Sequence, residues 1–171
     1  ILGRDDKLVA KLADAVTKLD AKFAAIIGTP VPAVIGTDYH ALKRMTEKKV
    51  DLPIMTVDTD GMALYDEGEE KAWMELFLTF AGQKEEVVKD RIGILGMTPQ
   101  DVSDLHAADR IREHFAKEWK TAVCYGMGNG LDDVKSVSNV EKNIVVSPAA
   151  IKAAQYLERT YGTPYEMGYP L

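Results

Sequence analysis

The sequence has little of what metal-binding, secreted and membrane proteins are rich in. Its 171 residues include one cysteine, Cys124, and three histidines. One thiol cannot close an internal disulfide, which fits a reducing compartment and a cytoplasmic localisation. Nor can it build a zinc site or hold an iron–sulfur cluster unaided. No apolar run approaches the roughly 20 residues that span a bilayer, so no membrane partner is expected. No basic segment precedes an apolar one at the start, as a secretion leader would require. Positive charge is also short: 21 Lys and Arg against 27 Asp and Glu give a formal net charge of −6. Binding nucleic acid needs a concentrated basic field, and none is present, which excludes that class of partner. The first residue is Ile1 rather than Met, so a piece of a longer chain is expected.

What is present is an ordinary globular composition, 46% hydrophobic and 28% charged. Helical and strand patterns alternate throughout. Asp5 to Lys22 places Leu8, Leu12, Val16, Leu19 and Phe23 at intervals of three or four, predicting an amphipathic helix. The apolar run 23–27 is too short for a helix and predicts a strand buried on both faces. A loop with Pro30 and Pro32 leads to a helix from about Thr37, with Tyr39, Leu42 and Met45 inward. A strand is expected at 53–57, then a helix from about Glu69 carrying Trp73, Leu76, Phe77 and Phe80. The polar stretch Gln83 to Asp90 reads as a linker. After it come strands at 92–95, 121–125, 143–146 and 164–167. Thr98-Pro99 opens one long helix carrying Val102, Leu105, Ile111, Phe115 and Trp119, and Ser147-Pro148 opens another ended by Gly162. Strands alternating with helices predict parallel sheets. The fold class is α/β: two Rossmann-like or flavodoxin-like lobes, 1–89 and 90–171, each a parallel sheet flanked by helices.

Few residues suggest chemistry on their own. Gly126-Met-Gly-Asn-Gly130 lies between a strand and a helix, where a phosphate loop would sit. Its spacing is GxGxG, and Asp132 and Asp133 in the first helical turn would repel a phosphate, so it reads as a turn. His106, Asp109 and His114 share one predicted helix, but the histidines are eight residues apart and read as a solvated face rather than a metal site. Cys124 lies in an apolar strand with no adjoining cation to lower its pKa, which is the setting of an inert thiol. No nucleophile motif such as GxSxG is present.

The run Ile26-Ile-Gly-Thr-Pro-Val-Pro-Ala-Val-Ile-Gly-Thr-Asp38 resembles a signature of the nitrogenase component 1 family, matching at Thr29, Val31, Pro32, Val34, Ile35, Gly36 and Asp38. Val57-Asp-Thr-Asp-Gly-Met62, Arg91-Ile-Gly-Ile-Leu-Gly96, Asn143-Ile-Val-Val-Ser147 and Leu157-Glu-Arg-Thr-Tyr-Gly-Thr-Pro-Tyr165 are similar to later family segments, in the same order. Leu2-Gly-Arg-Asp-Asp-Lys-Leu8 looks like a variant of the family's upstream helix start. The resemblance implies an oxidoreductase subunit that takes electrons from an ATP-dependent reductase and pairs with a homologous subunit. It also implies an iron–sulfur cluster in the full-length complex. The family's cluster-ligating cysteine corresponds to Pro30, which has no donor atom, so no cofactor is expected in this chain through its own thiol. Thr29, Pro30, Gly36 and Asp38 are then the candidate interface loop, with no catalytic or metal residue assigned.

Three readings stand side by side. The chain is part of a nitrogenase-like oxidoreductase, and by itself inactive and colourless. Alternatively, it is a scaffold or interaction domain that has kept the fold and lost the ligand. A third reading is a small-ligand α/β module binding at the ends of its parallel strands.

Overall fold

The computed structural model describes residues 2–168. The outer ends of the expected lobes, Ile1 and residues 169–171, lie outside the described residues. The chain divides into two compact units, Ile1–Lys71 and Ala72–Leu171. That division falls inside a helix, α4 (Tyr65–Phe80), which begins a turn earlier than the sequence suggests.

The first unit runs α1 (Leu2–Val16), β1 (Ala24–Ile27), α2 (Pro30–Val34), α3 (Tyr39–Glu47) and β2 (Ile54–Val57). The two strands are parallel, with Ala24 opposite Ile54 and Ile27 opposite Val57. Val9, Tyr39 and Leu42 form one core cluster, with Ile26 and Met45 packed against them, and β2 is buried at all four positions. Asp38 caps α3 by accepting the Ala41 N–H at 2.9 Å, satisfying one of the orphan donors of the first turn.

Two expectations are corrected here. Helix α1 ends at Val16, where Lys18 and Leu19 donate to Ala15 and Val16 in tight i to i−3 turns. Among the described side chains of α1 Val9 is buried while Leu8 is exposed, so the inward face is turned by about one residue, and Leu19, beyond the helix, is exposed as well. Strand β1 is not buried on both faces: it alternates half-buried and exposed, and Ile27 is 64% exposed. An apolar run is buried on both sides only where something packs on both sides. In addition, the proline loop contains a short helix, α2, with Pro30 at its start.

The second unit continues with β3 (Arg91–Leu95), α5 (Pro99–Val102), α6 (Ala107–Phe115), β4 (Thr121–Cys124), α7 (Leu131–Lys135), β5 (Lys142–Val145), α8 (Ile151–Tyr161) and β6 (Tyr165–Met167). The strands form one parallel sheet in the order β4-β3-β5-β6. One face carries Ile92, Ile94, Ala122, Cys124, Ile144 and Val146 under α6. The opposite face meets α8 and the second half of α4, whose Phe77 packs edge-on to Tyr125 at 5.6 Å. Between its neighbours, Gly93 leaves room for Asn143 and Tyr125: a Cβ there would lie 2.2 Å from Asn143 Oδ1 and 2.7 Å from Tyr125 Cε2.

The helix expected from Pro99 through Trp119 is two helices. Ser103 adopts φ 51° and ends α5, and Asp104 Oδ1 accepts the His106 N–H at 2.9 Å before α6 starts. A short polar side chain that bonds the backbone locally competes with helix continuation, and that competition wins here. The stretch 83–90 has no helix or strand, but it is fastened. Ser138 Oγ accepts the Glu85 N–H and Asn139 O accepts the Val88 N–H, both at 2.8 Å.

Candidate binding crevice

The strand order of the second unit creates an opening at one end of its sheet. From β3 the chain passes to β4 on one side, then returns to β5 on the other side of β3. Helices α6 and α8, which follow β3 and β5, therefore cover opposite faces, and the loops leaving these two strands part. Such a switch point at the carboxyl ends of parallel strands is where α/β sheets place ligands. A crevice of about 610 Å³ lies there.

Its floor is set by close backbone packing. Gly96, directly after β3, has φ 86°, and a Cβ there would lie 2.7 Å from Ser147 Cβ and 2.8 Å from Ser147 N. Only glycine meets both demands without displacement. Met97, Val102, Ile111 and Val146 supply apolar walls. The polar lining is Asp101, Arg110, His114 and Ser147. Arg110 and His114 stand one turn apart on α6, so both project to the same side. Arg110 pairs with Asp104 and keeps further N–H donors to spare. Asp101 accepts from Thr98 Oγ1 at 2.6 Å. Ser147 Oγ accepts the Ala149 N–H at 3.4 Å, leaving its own O–H free to donate. The break at Ser103 lets Val102 on α5 and Ile111 on α6 line the same space.

The other residues of interest are placed as follows. The Gly126–Gly130 turn is pinned by side chains: Asn129 Oδ1 accepts from Cys124 N at 2.9 Å and from Arg112 Nη2 at 2.6 Å. Asn129 Nδ2 donates to Asp133 Oδ2 at 3.0 Å, and Asp133 Oδ1 accepts from Arg91 at 3.0 Å. The Asn129 side chain is thus used inside the loop, and the Gly128 carbonyl accepts from Arg112 Nη2 at 2.8 Å. His106 precedes α6, with its ring 3.9 Å from Asp109, while His114 lies two turns further on at the crevice. Cys124 is fully buried, and desolvation pushes its thiol up to about 11 despite the nearby Arg112.

The loop expected as an interface lies in the first unit and is largely exposed. Thr29 precedes α2, Pro30 starts it, Gly36 follows it with φ 67°, and Asp38 caps α3. Val31, Val34 and Ile35 are 69%, 82% and 47% exposed. Gly28, just before the loop, is clamped to the segment after β2, where Thr59 Oγ1 donates to Gly28 O at 2.8 Å. In that same segment Asp60 accepts the N–H groups of Met62 and Ala63, which hold its carboxyl below the usual range.

A cluster ligated by this chain does not fit these residues. Pro30 offers no donor, Cys124 is sealed inside β4, and the crevice lining contains no thiol. Among the described residues no three His, Cys, Asp or Glu side chains converge on a point where a metal could sit. No helix among the described residues is long and apolar enough to cross a membrane.

The crevice escaped sequence reading because it depends on strand order, which one sequence does not reveal. The signals were Leu95-Gly96 and Val146-Ser147-Pro148, where apolar strands end in residues suited to a sharp exit.

Comparison with known proteins agrees with this architecture. A solved chain titled nitrogenase Cp1 at pH 6.5 superposes with a TM-score of 0.79 at 13% identity, covering 98% of this chain and 41% of that one. A second, nitrogenase Cp1 at pH 5, gives 0.77 at 20% identity, covering 96% and 34%. The chain thus spans less than half the length of these solved chains. No curated protein matches the sequence. The family model described as nitrogenase component 1 type oxidoreductase matches residues 1–171. This chain belongs to the nitrogenase component 1 type oxidoreductase family.

Proposed function

We propose that the chain is part of a nitrogenase-like oxidoreductase subunit that receives electrons from an ATP-dependent reductase in the assembled protein. The observation that carries this is the family match over the whole chain. The crevice at the β3–β5 switch point supports it, because it gives the second unit a formed place for a reacting molecule. In this reading the loop from Thr29 to Asp38 meets a homologous subunit. Its exposed Val31, Val34 and Ile35 are the kind of apolar side chains that subunit interfaces cover. An iron–sulfur cluster, where the assembly has one, is held by other chains or segments. The present residues contribute the fold, the interface loop and the crevice. The setting is cytoplasmic.

One observation favours a second reading, a family-fold scaffold that has lost its cluster ligand: Pro30 opens α2 at the position where the resemblance puts a cysteine. The two readings separate in a single experiment. The protein is purified without oxygen together with its genomic neighbours, assayed for iron and acid-labile sulfide, then mixed with its reductase and ATP. Reduction that requires both supports the oxidoreductase. A complex that forms but carries no iron and accepts no electrons supports the scaffold.

A further inference from the structure

The crevice lining is rich in hydrogen-bond donors and has no thiol. Such a lining suits an organic occupant better than a metal cluster. Arg110 has five N–H donors; among the described residues it pairs with Asp104. Its side chain is 68% exposed at the crevice mouth, so further donors are open to a ligand. His114 stands one turn further along α6 and adds a ring N–H. The Ser147 hydroxyl, whose oxygen already accepts from Ala149, has its proton left to give. Against these, the lining holds one carboxylate, Asp101, and it is occupied by Thr98 Oγ1. The remaining walls, Met97, Val102, Ile111 and Val146, are apolar. A volume of about 610 Å³ accommodates an organic molecule of moderate size.

Taking the crevice as the ligand site of the reading above, we propose that it binds an organic carboxylate with an apolar body, not a metal cluster ligated by this chain. The carboxylate meets Arg110, whose fork geometry suits two parallel N–H bonds, with His114 or Ser147 as a further donor. The apolar body covers Ile111, Val102 and Val146. Asp101 limits affinity by repelling the head group. Arg110 also balances Asp104, so the anion binds as the third member of a carboxylate–guanidinium–carboxylate chain.

Calorimetric titration of the 171-residue chain with 1-naphthaleneacetate and its neutral isostere 1-naphthaleneacetamide tests this without requiring electron transfer, so it can fail independently of the oxidoreductase reading. The acid should bind about ten-fold more tightly than the amide. R110Q should remove that preference while keeping amide binding, and D101N should strengthen acid binding. I111W, which fills the crevice, should abolish both; unchanged circular dichroism shows that it still folds. Equal affinity for acid and amide, no binding of either, or binding that survives I111W would each overturn the proposal. So would reconstitution with iron and sulfide that yields stoichiometric bound iron in the wild type and none in C124S.

Discussion

The two units use the same building block, an apolar strand followed by a helix, and bury it to different degrees. In the second unit β3 and β5 are inner strands, and Ile92, Ile94, Leu95 and Val145 are almost completely inaccessible. In the first unit, among the described residues, β1 pairs with β2 alone; β2 is buried at all four positions, but Ala25 and Ile27 of β1 are exposed. The sequence of β1, AAII, is as apolar as β3, RIGIL. Composition therefore tells how much burial a strand can use, while the neighbours decide how much it receives. The difference also separates two functional styles. The second unit folds its apolar strands inward and leaves a crevice at their ends. The first unit leaves apolar side chains of β1 and of the loop after it, Ile27, Val31, Val34 and Ile35, on its surface.

Phe77→Ala should give the largest response, because Phe77 is fully buried against Trp73 and Tyr125. A loss of about 3–5 kcal/mol in urea unfolding of the second unit is expected. A loss below about 1 kcal/mol would mean that this face of the sheet is looser than its packing indicates.

The buried thiol gives a test in pH. Its pKa is raised in the folded state, so the folded state holds the proton where the unfolded chain releases it. The stability it contributes is complete below the ordinary thiol value and is lost as pH rises through about 11. The alkaline edge of unfolding should therefore move upward in Cys124→Ala. Native Cys124 should also resist iodoacetamide at pH 8 until urea opens the second unit; rapid labelling would show that β4 is not sealed.

These two outcomes bear on the part of the molecule that was most legible. The apolar runs around β3 and β5, bounded by Gly96 and by Ser147-Pro148, announce buried strands from sequence alone. The helix break at Ser103 did not show, because residues 100–119 contain neither glycine nor proline to mark a stop, and Leu105, expected inward, proves 79% exposed. The loop from Thr29 to Asp38 was found as a segment through a family resemblance. The crevice was not found, since Gly96 and Ser147 are 51 positions apart and meet only once β3 and β5 pair.

In the first unit the effects should be smaller. Asp38→Ala removes the cap of α3 and should cost about 1 kcal/mol, read from thermal unfolding of that unit. Asp38→Ser should recover most of it, which distinguishes a cap from a charge effect. Ile27→Ala should change stability by less than about 0.5 kcal/mol, since its side chain is largely in solvent. Hydrogen exchange sharpens the same contrast: β1 amides should exchange well before those of β3 and β5. Strong protection at β1, or a large cost for Ile27→Ala, would show that the protein in solution covers this strand.

The polar chain from Arg112 through Asn129 and Asp133 to Arg91 has a consequence for the order of folding. Its end bonds join residues 17 and 42 positions apart in sequence, and none is formed by a single helix or hairpin. Closing them requires β3 beside β4, α6 laid across the sheet and the glycine turn already bent. Contacts of such sequence separation carry a loop-closure cost that is met only after nearer contacts have formed. The chain is accordingly a late seal on the second unit, and weakening it should quicken unfolding more than it slows refolding.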